Sequence, residues 1–382
     1  MLQTNIQYSK LRWLLTILGL FLYVLDIWND IGLALKYYYE AQYVWSGMTV
    51  MFVFTGLLVS QIFSYVWYLD DMKEGEQTIA GMSKGGLAAL HVICMGVFHR
   101  YYHLLKRGFK EVRKTTSSCT AEQMRDEHHK LFCMATDLSM LKLLEAFLES
   151  APQLLLQLYI ILGQQELSVM QCLSLAFSFF SVAWALVDYR HCLRRSLPHI
   201  TEMPSGLPTT VYLLYKLCTI TSHIFSYSLL LILSPYITVA LTLLWLVGTT
   251  WAHLLQTNFC SSRGLELLYR AVVGVILVFT FFNVKGQDTK VAMIIYYVFY
   301  SIINFMTPPL LALLMPELRT STFLLTAGGL IFGGSVLGLL CLVLYYLFLH
   351  PRGRWQEADE VDGLGVEAET TRTRKVINFL QP

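Results

Sequence analysis

The sequence is poor in charged residues. Only 14% of its 382 residues are Asp, Glu, Lys or Arg, and 55% are hydrophobic, whereas a soluble domain carries about 25% charged residues. This composition is typical of a membrane protein with several spanning helices. The formal net charge of +2 is too small to indicate nucleic acid as a partner.

Several catalytic and metal-binding motifs are also missing. The chain has no glycine-rich phosphate loop, no EF-hand calcium loop and no GxSxG nucleophile elbow, so nothing in it indicates nucleotide-driven pumping, direct calcium gating or hydrolase chemistry. Its eight cysteines form no CxxC pair, which argues against a zinc site or a disulfide framework. His99 and His103 lie four residues apart, but a third ligand is not evident. We therefore expect no cofactor, no metal and no enzymatic bond chemistry.

Long hydrophobic segments, by contrast, are abundant. We count ten of them, at roughly 11–37, 43–69, 85–106, 135–162, 167–189, 208–233, 236–256, 264–284, 291–314 and 322–349. Basic residues indicate how many of them cross the bilayer. If all ten crossed from a cytosolic N-terminus, the loop after the third segment would lie outside with seven Lys and Arg between Lys106 and Lys130, contrary to the positive-inside rule.

The basic residues are placed better if the third and eighth segments enter and leave on the cytosolic side. The loops after the first, fourth and sixth segments then face outside and carry no Lys or Arg, and the loop after the ninth carries only Arg319. We therefore predict an all-α polytopic membrane protein with eight transmembrane helices, two partially inserted (re-entrant) helices and both termini in the cytosol.

The order span, span, insertion, span, span occurs twice, which suggests two related halves. We assign residues 1–200 to an N-terminal membrane half and 201–350 to a C-terminal membrane half, each with four spans and one re-entrant helix. Residues 351–382 are polar and charged, and we assign them to a cytosolic regulatory tail.

Charged side chains within predicted spans are costly and are therefore candidates for function. Two acids of the first segment lie four residues apart, and three charges of the fourth segment share one helical face. One interpretation is a polar path for lipid headgroups, and the alternative is a set of ion pairs that hold helices together, such as Lys142 with an acid of the first segment. The candidate path residues are Asp26, Asp30, Asp137, Lys142, Glu145 and Glu149.

Proline and glycine add two local predictions. Pro152 predicts a kink in the fourth segment. Gly329/Gly333 and Gly334/Gly338, in GxxxG spacing, predict close helix packing in the tenth.

The run from Leu143 to Ile160, LLEAFLESAPQLLLQLYI, resembles the signature of the XK-related membrane proteins, and the segment 263–290 extends the resemblance over nearly the whole chain. Several XK-related proteins are phospholipid scramblases. The resemblance thus implies movement of phospholipids in both directions across the plasma membrane without ATP, with exposure of phosphatidylserine. It also implies a candidate partner, the single-span chaperone subunit that some of these scramblases need.

The tail contains Asp359, Glu360, Val361, Asp362 and Gly363 in succession, the preferred cleavage sequence of executioner caspases. A polar, extended segment is what a protease needs to bind its substrate, although the same residues could form a merely solvated acidic stretch. Members of the family that carry such a site are understood to be activated by caspases in apoptosis.

Cleavage after Asp362 would release a peptide that is basic first and then apolar. We hypothesise that this peptide is autoinhibitory and docks on the cytosolic face of the protein, or alternatively that the tail is disordered or binds the anionic inner leaflet. The apolar residues that would dock are Val376, Ile377, Phe379 and Leu380.

Two other functions stay open at this point. An ion channel or solute transporter built from two related halves would use the same buried charges to bind an ion. A membrane scaffold without transport activity would bind other proteins through the basic loop between Lys106 and Lys130.

Overall fold

In a computed structural model, the described part of the chain is built from helices and short connections between them. That part comprises residues 8, 10–73, 83–113, 121–164, 169–196, 206–257, 259–260, 262–283, 290–315 and 322–349. No strand occurs within these ranges, so the prediction of an all-α chain is confirmed for them.

The helices follow one another with short connections, and two of the α-helices continue directly into π-helical turns. In chain order the elements are α1 (Lys10–Tyr39), α2 (Tyr43–Lys73), α3 (Lys84–Val92), α4 (Gly96–Arg113), α5 (Ala121–Glu145), π1 (Ala146–Ser150), α6 (Ala151–Gln164), α7 (Val169–Ser196), α8 (Leu207–Leu233), α9 (Ile237–Leu254), α10 (Arg263–Phe279), α11 (Lys290–Leu314), α12 (Thr322–Leu344) and π2 (Tyr345–Leu349).

Seven of the described helices are long and apolar enough to cross a membrane, namely α1, α2, α7, α8, α9, α11 and, together with π2, α12. A chain with several such helices is a multi-pass membrane protein. The predicted fourth segment is not among the seven, because it is divided among α5, π1 and α6, and α6 has only 14 residues. The predicted count of eight spans and two partial insertions therefore stays a prediction.

The predicted third segment is two helices rather than one. Cys94 has φ of 59°, in the left-handed region where an α-helix of L-residues cannot continue. The side chain of Gln61 bonds to the interrupted backbone: its Nε2 donates to Cys94 O at 3.2 Å, and its Oε1 accepts from Gly96 N at 3.0 Å. A break of this kind between α3 and α4 is tolerated because its polar backbone groups have partners inside the protein.

The described helices group into two units by their contacts. Unit 1 comprises residues 1–149 and 188–200, and unit 2 comprises residues 150–187 and 201–382. The division predicted from the sequence is a different one: two related halves, 1–200 and 201–350, and a tail, 351–382. It is based on a repeated order of segments, which grouping by contacts does not test, so it stays a prediction.

In unit 1, α1 packs against α2 and α4, and α5 packs against α2 and α4. Aromatic rings occupy part of this packing. The ring of Tyr23 on α1 lies 5.0 Å from that of Phe98 and 6.0 Å from that of Tyr101, both on α4.

In unit 2, α8 is the central helix and packs against α6, α10, α11 and α12, while α9 packs against α10. Glycine makes the α9–α10 contact close. A Cβ at Gly248 would lie 3.2 Å from the Cα of Gly274, so a larger residue would separate the two helices.

Close packing through GxxxG glycines is confirmed for one pair of the tenth segment, on α12. A Cβ at Gly338 would lie 2.8 Å from Cγ2 of Thr219 on α8, and one at Gly334 would overlap Ser222 Oγ. Gly329 and Gly333, in contrast, have nothing within 4 Å of an added Cβ.

The predicted kink at Pro152 coincides with a change of helix type. The π-helical turn π1 ends at Ser150, and Pro152 is the second residue of α6. Proline has no N–H to donate, and a π turn is a common local adjustment at such a point, often near a functional site.

Candidate functional site

Five of the six predicted path residues come together in unit 1. We call Asp26 and Asp30 of α1, Lys142 and Glu145 of α5, and Glu149 of π1 the acid cluster. Lys142 Nζ lies 3.0 Å from Glu145 Oε2, Asp26 interacts electrostatically with Lys142, and the carboxyl group of Asp30 faces that of Glu149. Helical spacing places the two acids of α1 on one face and the charges of α5–π1 on another, and the structure brings these two faces together.

Burial is graded across the acid cluster. Glu149, Glu145 and Asp30 are 0%, 1% and 4% exposed, whereas the side chain of Lys142 is 24% exposed and Asp26 is half-buried. The cluster therefore has a buried inner end, formed by the two glutamates and Asp30, and an accessible rim.

The inner end contains carboxyl oxygens without donors. Within the described residues, neither Oε atom of Glu149 has a hydrogen-bond partner, nor has Oε1 of Glu145. The carboxyl of Asp30 faces Glu149, and because two carboxyl groups bond to each other only through a shared proton, neither provides a donor to the other while both are ionised. Buried acceptors left without donors are rare and often indicate a functional site or a missing ligand.

Gly56 on α2 provides the space that Glu149 occupies. A Cβ at Gly56 would lie 2.8 Å from Glu149 Cβ and 2.5 Å from Glu149 Oε2. Real side chains do not approach so closely, so the position of the Glu149 carboxyl depends on the absence of a side chain at residue 56.

An aromatic ring adjoins the acids. The ammonium of Lys142 lies 4.0 Å from the centre of the Tyr23 ring, a cation–π geometry. Tyr23 is itself packed against Phe98 and Tyr101. The cluster is therefore an arrangement of carboxyl groups beside an aromatic wall.

Asp137, the sixth predicted path residue, has a different setting. It precedes Lys142 by five residues and thus lies on another side of α5, where its Oδ2 is 3.1 Å from Arg100 Nη1. Arg100 also donates to Ser64 Oγ at 2.9 Å and lies over the Tyr68 ring at 4.0 Å. This geometry corresponds to the ion-pair alternative.

A further ion pair in unit 1 was not predicted. Arg12 Nη1 lies 2.6 Å from Asp188 Oδ1, and Arg12 Nη2 lies 2.6 Å from Cys192 Sγ. Arg12 and Asp188 each carry a charge at the end of an apolar run, and they lie 176 residues apart in the sequence. No local pattern links positions so distant.

The histidines of α4 form a pair rather than a metal site with three ligands. His99 Nε2 and His103 Nε2 are 3.1 Å apart, and His99 Nδ1 lies 3.2 Å from the Tyr68 hydroxyl. Burial lowers the pKa of His103 to about 4, with further contributions from His99, Lys106 and Arg107. Across the described ranges, no group of three or more His, Cys, Asp or Glu is arranged to hold a metal ion.

Unit 2 contains an apolar cavity of about 810 Å³ between α6, α7, α8 and α12. Phe179, Phe225 and Leu158 are among the residues that line it, and Ser222 and Thr221 contribute hydroxyl groups. None of its lining residues is charged, in contrast to the acid cluster of unit 1.

The predicted caspase site, Asp359 to Gly363, lies outside the described residues. So do the four apolar residues of the tail that we predict to dock, Val376, Ile377, Phe379 and Leu380. Cleavage and autoinhibition therefore stay predictions.

Comparison with known proteins agrees with the resemblance noted in the sequence. Residues 14–351 match the family model of XK-related proteins. XK-related protein 9 of Tetraodon nigroviridis is 54% identical over 98% of this chain and 100% of the relative. XK-related protein 8 is 32% identical in the same organism, over 90% of this chain and 84% of the relative, and 30% identical in Gasterosteus aculeatus, over 91% and 85%. The chain therefore belongs to the XK-related family of membrane proteins.

Proposed function

We propose that this protein is a phospholipid scramblase of the plasma membrane, which moves lipids in both directions without ATP and thereby exposes phosphatidylserine. The observation that carries the proposal is the acid cluster, in which three carboxyl groups are buried within a membrane protein. A headgroup that enters the bilayer loses its hydration at the same kind of cost as a buried charge. Charged groups inside the protein replace part of that hydration while the acyl chains stay in lipid.

The residues of the acid cluster have distinct parts in this path. Asp26 and Lys142, which are partly exposed, form its accessible rim, and Glu145 and Glu149 form its inner end. Asp137 holds α4 against α5 through Arg100 and acts on the path through that packing. No bond of the lipid is made or broken, so the protein is a transporter of lipids rather than an enzyme.

We further propose that an executioner caspase activates the protein in apoptosis by cleavage after Asp362. The sequence Asp359 to Gly363 supports this step, as does the predicted cytosolic position of both termini. Cleavage removes the peptide with Val376, Ile377, Phe379 and Leu380, which inhibits the uncut protein. A single-span chaperone subunit is a further candidate partner, and this suggestion rests only on the resemblance to the XK-related family.

The test is fluorescent-lipid scrambling in liposomes with full-length protein, caspase-treated protein and caspase-treated Asp362→Ala. We expect activity in the cut protein, and none in the full-length protein or in the uncleavable variant. Activity in all three samples would support scramblase activity but contradict inhibition by the C-terminal peptide. Inactivity in all three, with the protein folded and inserted, would contradict the proposed function.

One observation favours a second candidate, an ion channel or solute transporter. The oxygens of Glu145 and Glu149 that lack donors within the described residues are acceptors that a cation could satisfy. Cation flux into the same liposomes, without movement of lipid, would favour this function over scrambling.

A further inference from the structure

The acid cluster contains more carboxyl groups than cations. Among the described residues, Asp26 and Glu145 interact with the single ammonium group of Lys142, and Glu149 and Asp30 lie beside these acids. Other described ion pairs of unit 1 join one acid to one base, as in Arg100–Asp137 and Arg12–Asp188, or one acid to two bases, as in Glu127 with Arg107 and Lys130. The excess of acid is therefore a property of this cluster, and it favours a positively charged ligand group.

Lys142 shows how the cluster holds such a group. Its ammonium lies 3.0 Å from a carboxylate oxygen of Glu145 and 4.0 Å from the centre of the Tyr23 ring. A carboxylate together with an aromatic face is the combination by which proteins recognise ammonium groups, including the quaternary ammonium of choline.

The inner end has capacity for a second cation. Both oxygens of Glu149 and Oε1 of Glu145 have no donor among the described residues, and Glu149 is fully buried. The glycine that faces it, Gly56, brings no side chain to Oε2. The ligand group that would satisfy these acceptors is a donor or a cation rather than an anion.

We propose that the acid cluster binds the ammonium group of a phospholipid headgroup, whether of choline, ethanolamine or serine, and that the phosphate is not the group recognised here. This inference rests on the proposed function and names its substrate class. The ammonium of Lys142 occupies the site in the absence of lipid, and a headgroup ammonium replaces it between Tyr23 and the two glutamates. Lipids that lack an ammonium group, such as phosphatidylglycerol, then cross more slowly.

Binding can be measured without transport. The probe is tetramethylammonium chloride, compared with sodium chloride at equal ionic strength, and the measurement is the thermal unfolding midpoint of the full chain in detergent. We expect tetramethylammonium to raise the midpoint above that in sodium, and the shift to disappear in Glu149→Gln. The matched control is Glu127→Gln, which removes an acid from the one-third-exposed pair with Arg107 and should keep the shift.

A second variant covers the case in which Glu149→Gln does not fold. Lys142→Met removes the resident ammonium, and we expect it to bind tetramethylammonium about tenfold more tightly, the effect of one interaction worth about 1.4 kcal/mol. Equal midpoints in the two salts, or a shift that persists in a folded Glu149→Gln, would overturn the proposal.

Transport gives an independent comparison. In liposomes with the protein cut after Asp362, acyl-labelled phosphatidylcholine should cross several-fold faster than acyl-labelled phosphatidylglycerol, and Glu149→Gln should reduce that ratio. Equal rates for the two lipids would overturn the proposal of ammonium recognition, while the proposed scramblase function would still stand. If no lipid moves, the proposed function fails, and the tetramethylammonium shift still decides whether the cluster binds ammonium groups.

Discussion

Arg100 on α4 and Asp137 on α5 form a largely buried ion pair, with Nη1 and Oδ2 3.1 Å apart and side chains that are 5% and 18% exposed, respectively. The guanidinium also donates to Ser64 Oγ and to Ser64 O, both on α2. One side chain thus connects three helices of unit 1. Removal of its acidic partner leaves a buried cation without its counter-charge, which is among the more damaging changes that a single substitution can make.

The first prediction concerns this pair. Asp137→Asn should lower the free energy of unfolding by about 3–5 kcal/mol, the usual cost of breaking a buried ion pair from one side. The measurement is the thermal unfolding midpoint of the full chain in detergent. Glu127→Gln, in the more exposed pair with Arg107, should change stability by less than about 1 kcal/mol. Equal effects of the two substitutions would show that the Arg100 pair has no special role.

The second prediction concerns the space at residue 56. Gly56→Ala should destabilise the protein by about 1–3 kcal/mol, because its Cβ would overlap the side chain of Glu149. Gly47→Ala, in the same helix, meets no atom within 4 Å, and it should stabilise by up to about 1 kcal/mol through helix propensity. Opposite shifts of the unfolding midpoint are expected, and a stabilising Gly56→Ala would contradict the geometry.

The third prediction concerns the inner end of the acid cluster. Glu145→Gln with Glu149→Gln should slow scrambling by the caspase-cut protein about tenfold or more, since tenfold corresponds to about 1.4 kcal/mol of lost interaction. The two substitutions keep the side-chain volume, and Lys142 keeps its electrostatic interaction with Asp26, so the double variant should stay folded. Scrambling at the normal rate in the double variant would remove these residues from the lipid path.

The fourth prediction concerns pH. Burial lowers the pKa of His99 and His103, and Arg100 adds to the effect at His99. In the unfolded chain both histidines have a pKa near about 6.5. As pH falls below that value, the unfolded chain takes up protons that the folded chain does not bind until about pH 4 at His103, so the folded state loses stability in this window.

A pH series of unfolding midpoints checks this sign. We expect the midpoint to fall between about pH 6.5 and pH 4, and to fall less steeply in His103→Gln, which cannot titrate. An identical pH profile in the variant would show that the histidine pair does not contribute.

The sequence predicts the helices well where apolar residues are continuous. The predicted segments 208–233 and 291–314 differ by one residue or less at each end from α8 (Leu207–Leu233) and α11 (Lys290–Leu314). It predicts the fourth segment less well. That segment was expected to begin at residue 135, but α5 begins at Ala121, because hydropathy marks the apolar part of a helix and not its polar extension.

The acid cluster is predictable from the sequence only in part, namely where its members lie on the same helix. Helical periodicity places Asp26 with Asp30, and Lys142 with Glu145, on shared faces. It does not reveal which charges meet across helices, so the pairing of Asp137 with Arg100 and of Arg12 with Asp188 required the structure. The neighbouring glycine on α2 and tyrosine on α1 could not be singled out, because both residue types are common in apolar helices, where they usually serve packing alone.

The π turn before Pro152 has a consequence for evolutionary comparison. A π turn accommodates one residue more than the same length of α-helix, so an ancestral single-residue insertion within Ala146–Ser150 would produce it. A relative without the extra residue would align with a one-residue gap there and still keep its flanking helical faces, because the wide turn absorbs the added residue, which in a continuous α-helix would rotate everything beyond it by about 100°. The faces of α5 and α6 can therefore be compared between such relatives position by position, and only the residues of the turn itself, Glu149 among them, would differ in direction.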